Sequence, residues 1–211
     1  MPTLSKQTLN PRKLPKQTRS AATVSAILEA TIQVLLREGK EKLTTTLVAQ
    51  RAGVSVGTLY QYFPNKSALL REVLRRHLSE VAEAVNRVCQ EQRGARPEAM
   101  GKALVRGFLA AKLRDVKTSA ALYSVGSDVD GMKIARQVGA RSSRAIETML
   151  ESASEPLAVD AGTAATMLYG VLSGVGRTLV ESPERVSPGV REELEQMVCS
   201  YLRSLRVKNA R

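Results

Sequence analysis

The sequence predicts an all-α protein in which a three-helix, helix-turn-helix head precedes a larger helical bundle. Three observations carry that prediction. Ala, Leu, Arg and Glu dominate, aromatics make up 3% of 211 residues and Trp is absent, a composition that favours helices over sheets. Apolar residues recur three and four positions apart along most of the chain. Between Thr44 and Pro64, two short helical patterns flank a single glycine, Gly53. With 43% hydrophobic and 25% charged residues, the chain is expected to fold rather than remain disordered.

Residues 1–19 contain Pro2, Pro11 and Pro15, five basic side chains, no acid and no apolar periodicity, which predicts a flexible basic arm. A solvated tail and an arm that reaches phosphates or the minor groove both fit that composition. The head is expected over residues 20–65. From Val24, apolar side chains recur at Ile27, Leu28, Val34 and Leu35 on one helical face, and Gly39 supplies a stop. A threonine then caps a short helix whose Val48 and Ala49 face inward, while Ala52 keeps it slim enough for another helix to cross. Gly53 makes the turn, Ser55 is placed to cap the next helix, Val54 and Leu59 pin the pair to the first helix, and Pro64 ends the segment. In such a unit the second helix projects its early residues into the DNA major groove.

Residues 66–207 are expected to form a regulatory and dimerisation domain. A long helix begins at Asn65, with Leu69, Leu70, Val73, Leu74, Leu78, Val81, Val85 and Val88 at helical spacing, and breaks near Gly94. Pro97 suits the first turn of a helix carrying Met100, Leu104, Phe108 and Leu109. A shorter piece is expected at Ala120–Val125, interrupted by Gly126, and a further helix from about Gly131 to Ser152, followed by a Ser/Glu/Pro linker at 154–156. Asp160 can cap a helix with Ala164, Ala165, Leu168, Leu172 and Leu179 on one face and Gly170 and Gly174 on another. Ser187 and Pro188 announce a last helix with a wide apolar stripe through Leu194, Val198 and Leu202. These two helices, about 160–181 and 188–205, can pair with their symmetry mates as the homodimer interface; packing within one chain is the alternative.

Formal net charge is +12, and residues 1–66 contribute +7 of it through ten basic and three acidic side chains. A basic module of that kind fits a polyanion such as nucleic acid, although an anionic membrane surface or plain solubility also fits. Cys89 and Cys199 match no metal or redox spacing and read as buried small hydrophobes. No segment has the length and apolarity of a signal core or membrane span, so the cytoplasm is expected. An enzyme is not expected: His77 is the lone histidine, and there is no phosphate-binding glycine loop, nucleophile elbow or metal-ligand cluster, hence no cofactor.

Residues 19–74 resemble one family specifically. Ile27, Leu28 and Ala30, then Gly39, Thr44, Val48-Ala49, Ala52-Gly53-Val54-Ser55, Gly57-Thr58-Leu59-Tyr60, Tyr62-Phe63, Lys66 and Leu69-Leu70 fall in the order and spacing of TetR/AcrR-type transcriptional regulators. Lys40 and Leu47 depart from the pattern, standing where an aromatic and a polar residue are common. The resemblance implies about nine helices, with the first three as a DNA-binding head, the fourth connecting, and the last two dimerising. Carried over by position, Thr45 and Thr46 resemble phosphate- and base-contacting residues, Val56, Gly57 and Thr58 form the leading edge of the recognition helix, Tyr60 and Tyr62 touch phosphates or base edges, and Lys66 clamps a phosphate. Hydroxyls and lysine suit phosphate, a Thr58 methyl or Val56 suits a thymine methyl, and packing beneath the head is the alternative for each tyrosine.

The function this implies is a repressor that binds a palindromic double-stranded DNA operator as a homodimer and is released by a small-molecule inducer. A transcriptional activator of the same fold and a non-specific architectural DNA binder are the alternatives. The ligand-binding residues are not readable: Phe108, Tyr123, Met149 and Tyr169 can line a cavity between the middle helices, but helical spacing points to core packing.

Overall fold

The computed structural model describes residues 18–207, so the basic arm, but for its last two residues, lies outside the described residues. Among them the regular elements are helical. Nine α-helices follow in order: α1 Thr18–Lys42, α2 Thr45–Ala52, α3 Val56–Tyr62, α4 Lys66–Glu91, α5 Pro97–Lys112, α6 Val116–Ser124, α7 Gly131–Glu151, α8 Ala161–Glu181 and α9 Pro188–Ser204. Short 3-10 turns occupy Gly126–Asp128 and Pro183–Arg185.

The stop expected at Gly39 is present, with φ 77° and ψ 171° interrupting α1 before one further turn. The helix expected at Ala120–Val125 begins earlier and ends one residue sooner. Asp115 explains the early start, because its Oδ1 accepts the Thr118 backbone N–H at 2.9 Å and so nucleates α6 four residues upstream of the apolar pattern. The 154–156 linker meets the segment after α9, with Pro156 O accepting the Val207 N–H at 3.4 Å and an ion pair between Arg206 and Glu155.

The described chain divides into two compact units. The first takes the residues up to His77 together with Ala120–Ile134. Its core gathers Ile27, Leu28, Val34 and Leu35 of α1, Val48 of α2, Leu59 of α3, and Leu69, Leu70 and Val73 of α4, all buried. Lys40 Nζ pairs with Asp128 at 2.7 Å and Arg71 with Asp130 at 3.7 Å, so two acids of the returning segment meet two bases of α1 and α4.

The second unit comprises Leu78–Ser119 and the residues from Ala135 onward. Its core runs through Val81, Val85, Met100, Leu104, Phe108, Ile146, Met149, Leu168, Leu172, Leu194, Val198 and Leu202. Phe108 and Met149 lie within it, whereas Tyr169 is partly buried against it. Helices approach closely where side chains vanish: a Cβ on Gly101 of α5 would stand 2.6 Å from Leu202 of α9, and one on Gly176 of α8 2.7 Å from the Phe108 ring. Gly170 and Gly174 are different, since nothing lies within 4 Å of a Cβ at either.

Candidate nucleic-acid interface

The helix pair that carries the expected site is assembled by local rules. Thr44 is extended, and its Oγ1 accepts the Leu47 N–H at 3.2 Å, starting α2. Gly53 closes α2 at φ 68°, a left-handed conformation that costs little only without a Cβ, and lets Val54 N–H reach back to Ala49 O at 3.0 Å. Two residues on, Ser55 Oγ accepts the Thr58 N–H at 3.0 Å and starts α3. Val48, Ala49 and Leu59 are 0%, 1% and 0% exposed, so both helices are fixed by their inner faces. Fully burying a leucine is worth about 2 kcal/mol, enough to hold a two-turn helix that could not stand alone.

The expected residues lie on three helices, α2, α3 and α4. Val56 and Tyr60 stand out from α3 at 36% and 40% exposure, beside exposed Gly57. Thr58 and Tyr62 are half-buried, and the Thr58 hydroxyl is 2.8 Å from Ser55 Oγ, so the cap engages both its backbone and its side chain. Thr45 Oγ1 lies 3.1 Å from Tyr60 Oη, bringing the start of α2 and the middle of α3 onto one surface. Thr46 is exposed next to it. Lys66, half-buried at the start of α4, donates from Nζ to Lys40 O at 2.8 Å, so its ammonium also ties α4 to the end of α1.

Some parts of this surface were not foreseen. Gln61 is exposed on α3 beside Tyr60, and Arg51 of α2 donates from Nε to Gln33 Oε1 of α1 at 2.6 Å. The Thr45–Tyr60 contact spans fifteen residues and has no local signature. The hydrogen bond to Asp128, supplemented by its charge and that of Glu41, raises the pKa of Lys40 and keeps it cationic beside this region. Among the described residues, no group of three or more His, Cys, Asp or Glu is placed to hold a metal ion, and no helix is long and apolar enough to cross a membrane.

Comparison with known proteins matches both parts of the chain. Residues 27–73 match the family described as bacterial regulatory proteins, tetR family, and residues 97–202 match the tetracyclin repressor-like C-terminal domain. The HTH-type transcriptional repressor KstR of Mycobacterium tuberculosis is 43% identical over 61 residues, 29% of this chain and 28% of that protein. KstR of Rhodococcus jostii is 44% identical over 55 residues, 26% of each chain. The chain thus matches little more than a quarter of the length of these curated relatives. Among solved structures, a transcriptional regulator from Rhodococcus sp. RHA1 superimposes with a TM-score of 0.67 at 20% identity, over 89% of this chain and 99% of that one. SmeT, the repressor of the Stenotrophomonas maltophilia multidrug efflux pump SmeDEF, gives 0.64 at 19% identity over 90% of this chain and 94% of its own. Those superpositions show the fold alone, and the C-terminal family match spans half of the sequence. The chain belongs to the tetR family of bacterial regulatory proteins.

Proposed function

We propose that this TetR-family DNA-binding transcriptional regulator is a repressor that occupies a palindromic operator as a symmetric dimer and leaves it when a small molecule binds. The observation that carries the reading is the outer face of α3. Gly57 has a helical backbone and nothing nearer a Cβ than Ser55 Oγ at 3.8 Å, so nothing within the described protein demands a glycine there. A close approach by an external surface supplies the demand, and a groove floor flanked by Val56, Thr58, Tyr60 and Tyr62 fits it. Thr45, Thr46 and Lys66 then hold phosphates on the flank. No Arg or Asn fronts α3, so sequence preference leans on methyl contacts and DNA shape as well as on hydrogen bonds.

Dimerisation through α8 and α9 follows from what those helices leave uncovered. Met167 and Met197 are 52% and 47% exposed, Gly170 and Gly174 are open, and a groove of about 680 Å³ is lined by Val175, Val190, Leu194 and Met197. A symmetry mate buries that apolar surface and sets two recognition helices about 34 Å or more apart, one DNA turn. Release requires a ligand with greater affinity for a conformation that cannot span both half-sites, because only differential affinity shifts an equilibrium. KstR and SmeT are named as repressors, which supports that sign of regulation here.

Selection of bound fragments from a random DNA pool tests the reading. Recovery of an inverted repeat, bound far more tightly than a scrambled duplex at physiological salt, is the expected result. Equal affinity for both would replace it with non-specific architectural binding.

A further inference from the structure

We infer that the groove between the C-terminal part of α4 and α7 binds an amphiphilic organic anion. The groove is open to solvent and has a volume of about 500 Å³, room for a ligand with a ring-sized apolar body. Cys89 and Met149, 3% and 1% exposed, form its floor together with Ala145. Its rim holds Arg93 just beyond α4 and Arg141 and Arg144 of α7, and no Asp or Glu lines it.

The rim arginines lack the carboxylate partner that several others in the same unit have. Arg106, Arg114, Arg177 and Arg206 each meet a carboxylate, at Glu195, Glu80, Glu181 and Glu155 respectively. Arg93, Arg141 and Arg144 form no ion pair among the described residues. Three like charges around one concavity repel each other and raise the local concentration of anions. Guanidinium groups also match the geometry of carboxylate and phosphate oxygens.

The wall carries Asn86, Gln90 and Thr148, polar side chains able to hydrogen-bond a ligand's polar groups. The floor thiol does not oppose an anion, since burial pushes the Cys89 pKa up to about 12 and keeps it neutral. An inorganic anion would leave the groove's lining, more apolar than polar, in water and a neutral apolar molecule would leave the rim uncompensated, so both properties belong in one ligand.

Titration calorimetry on the full chain tests this with 1-naphthyl phosphate, 1-naphthol and inorganic phosphate, which carry body and charge together or singly. Binding of 1-naphthyl phosphate at one site per chain is expected, with the other two at least about tenfold weaker. The double substitution Arg141→Ala, Arg144→Ala should weaken 1-naphthyl phosphate about tenfold or more, and Arg141→Lys, Arg144→Lys should recover part of that loss. Both arginines are exposed, and an unchanged circular dichroism spectrum shows that the fold persists. Absence of 1-naphthyl phosphate binding at millimolar concentration, equal affinity for 1-naphthol, or an unaltered affinity in the alanine double variant would overturn the inference. Binding is read on the protein without DNA, so a negative result leaves the operator reading standing.

Discussion

Replacing Lys112 by Met should stabilise the protein at neutral pH, and the gain should shrink in alkali. Lys112 lies near the end of α5 with 4% of its surface exposed, its stem beside Gly176 of α8. Burial pulls its pKa from 10.5 down to about 8, a preference for the neutral amine that corresponds to roughly 3 kcal/mol. The sign follows from linkage. Between about pH 8 and 10.5 the unfolded chain binds the proton more tightly than the folded one, so stability rises with pH across that window. Below it both states are charged and the full cost is present; above it both are neutral and the cost is gone. Met has a similar length and no charge but loses the lysine's own polar contacts, so Lys112→Met should gain less than about 3 kcal/mol at pH 7, and the gain should shrink toward pH 10.5. Urea unfolding of both proteins at fixed protein concentration, at pH 7 and pH 10, measures the gap. Burial also raises the pKa of Cys89 and Tyr169, which gives the opposite slope in alkali, but those terms are common to both proteins and cancel in the difference. A gap of zero at pH 7, or one that stays constant with pH, would refute the attribution to a buried charge.

Lys66→Ala should weaken binding to every duplex and reduce the salt slope by about 1, read from affinities at several salt concentrations. Thr58→Ala should cost about 1 to 3 kcal/mol on the preferred site and little on scrambled DNA, in a competition gel shift. Tyr60→Phe keeps the ring but removes the contact with Thr45 Oγ1 at 3.1 Å, so operator affinity should fall while the thermal midpoint stays within a few degrees. The two α8 glycines should separate cleanly. Gly176→Ala drives a methyl into Phe108 and should lower unfolding free energy by about 1 to 3 kcal/mol, whereas Gly174→Leu should leave the helical content intact and shift the mass in light scattering toward monomer.

Legibility in the sequence tracked the range of the interaction. The α2–α3 unit could be read because each of its determinants acts over a few residues: Thr44 on Leu47, Gly53 back to Ala49, Ser55 on Thr58. The helix order was also readable, since apolar spacing records which face is buried. The beginning of α6 lies outside the apolar periodicity and is marked instead by its capping side chain, Asp115. The pairing of Asp128 with Lys40 and of Asp130 with Arg71 has no local signal in the sequence.

Glycine shows why the remainder could not be read. Gly170, Gly174 and Gly176 lie within seven residues of one helix, and each offers the same missing side chain. Gly176 is required by Phe108 from another helix of the same chain, while the other two face open space. Spacing alone sets the pair four apart on one side of α8 without naming a partner, and the packing within one chain supplies the missing distinction: a glycine with no neighbour inside has its reason outside or has none. The α4–α7 groove follows the same logic. Arg93 and Arg141 are 48 positions apart, and as isolated letters they are two solvated charges. Only the packing of α7 beside α4 turns them into one rim, so a ligand site built from tertiary convergence stays silent in a sequence where a helix-turn-helix, built from neighbours, does not.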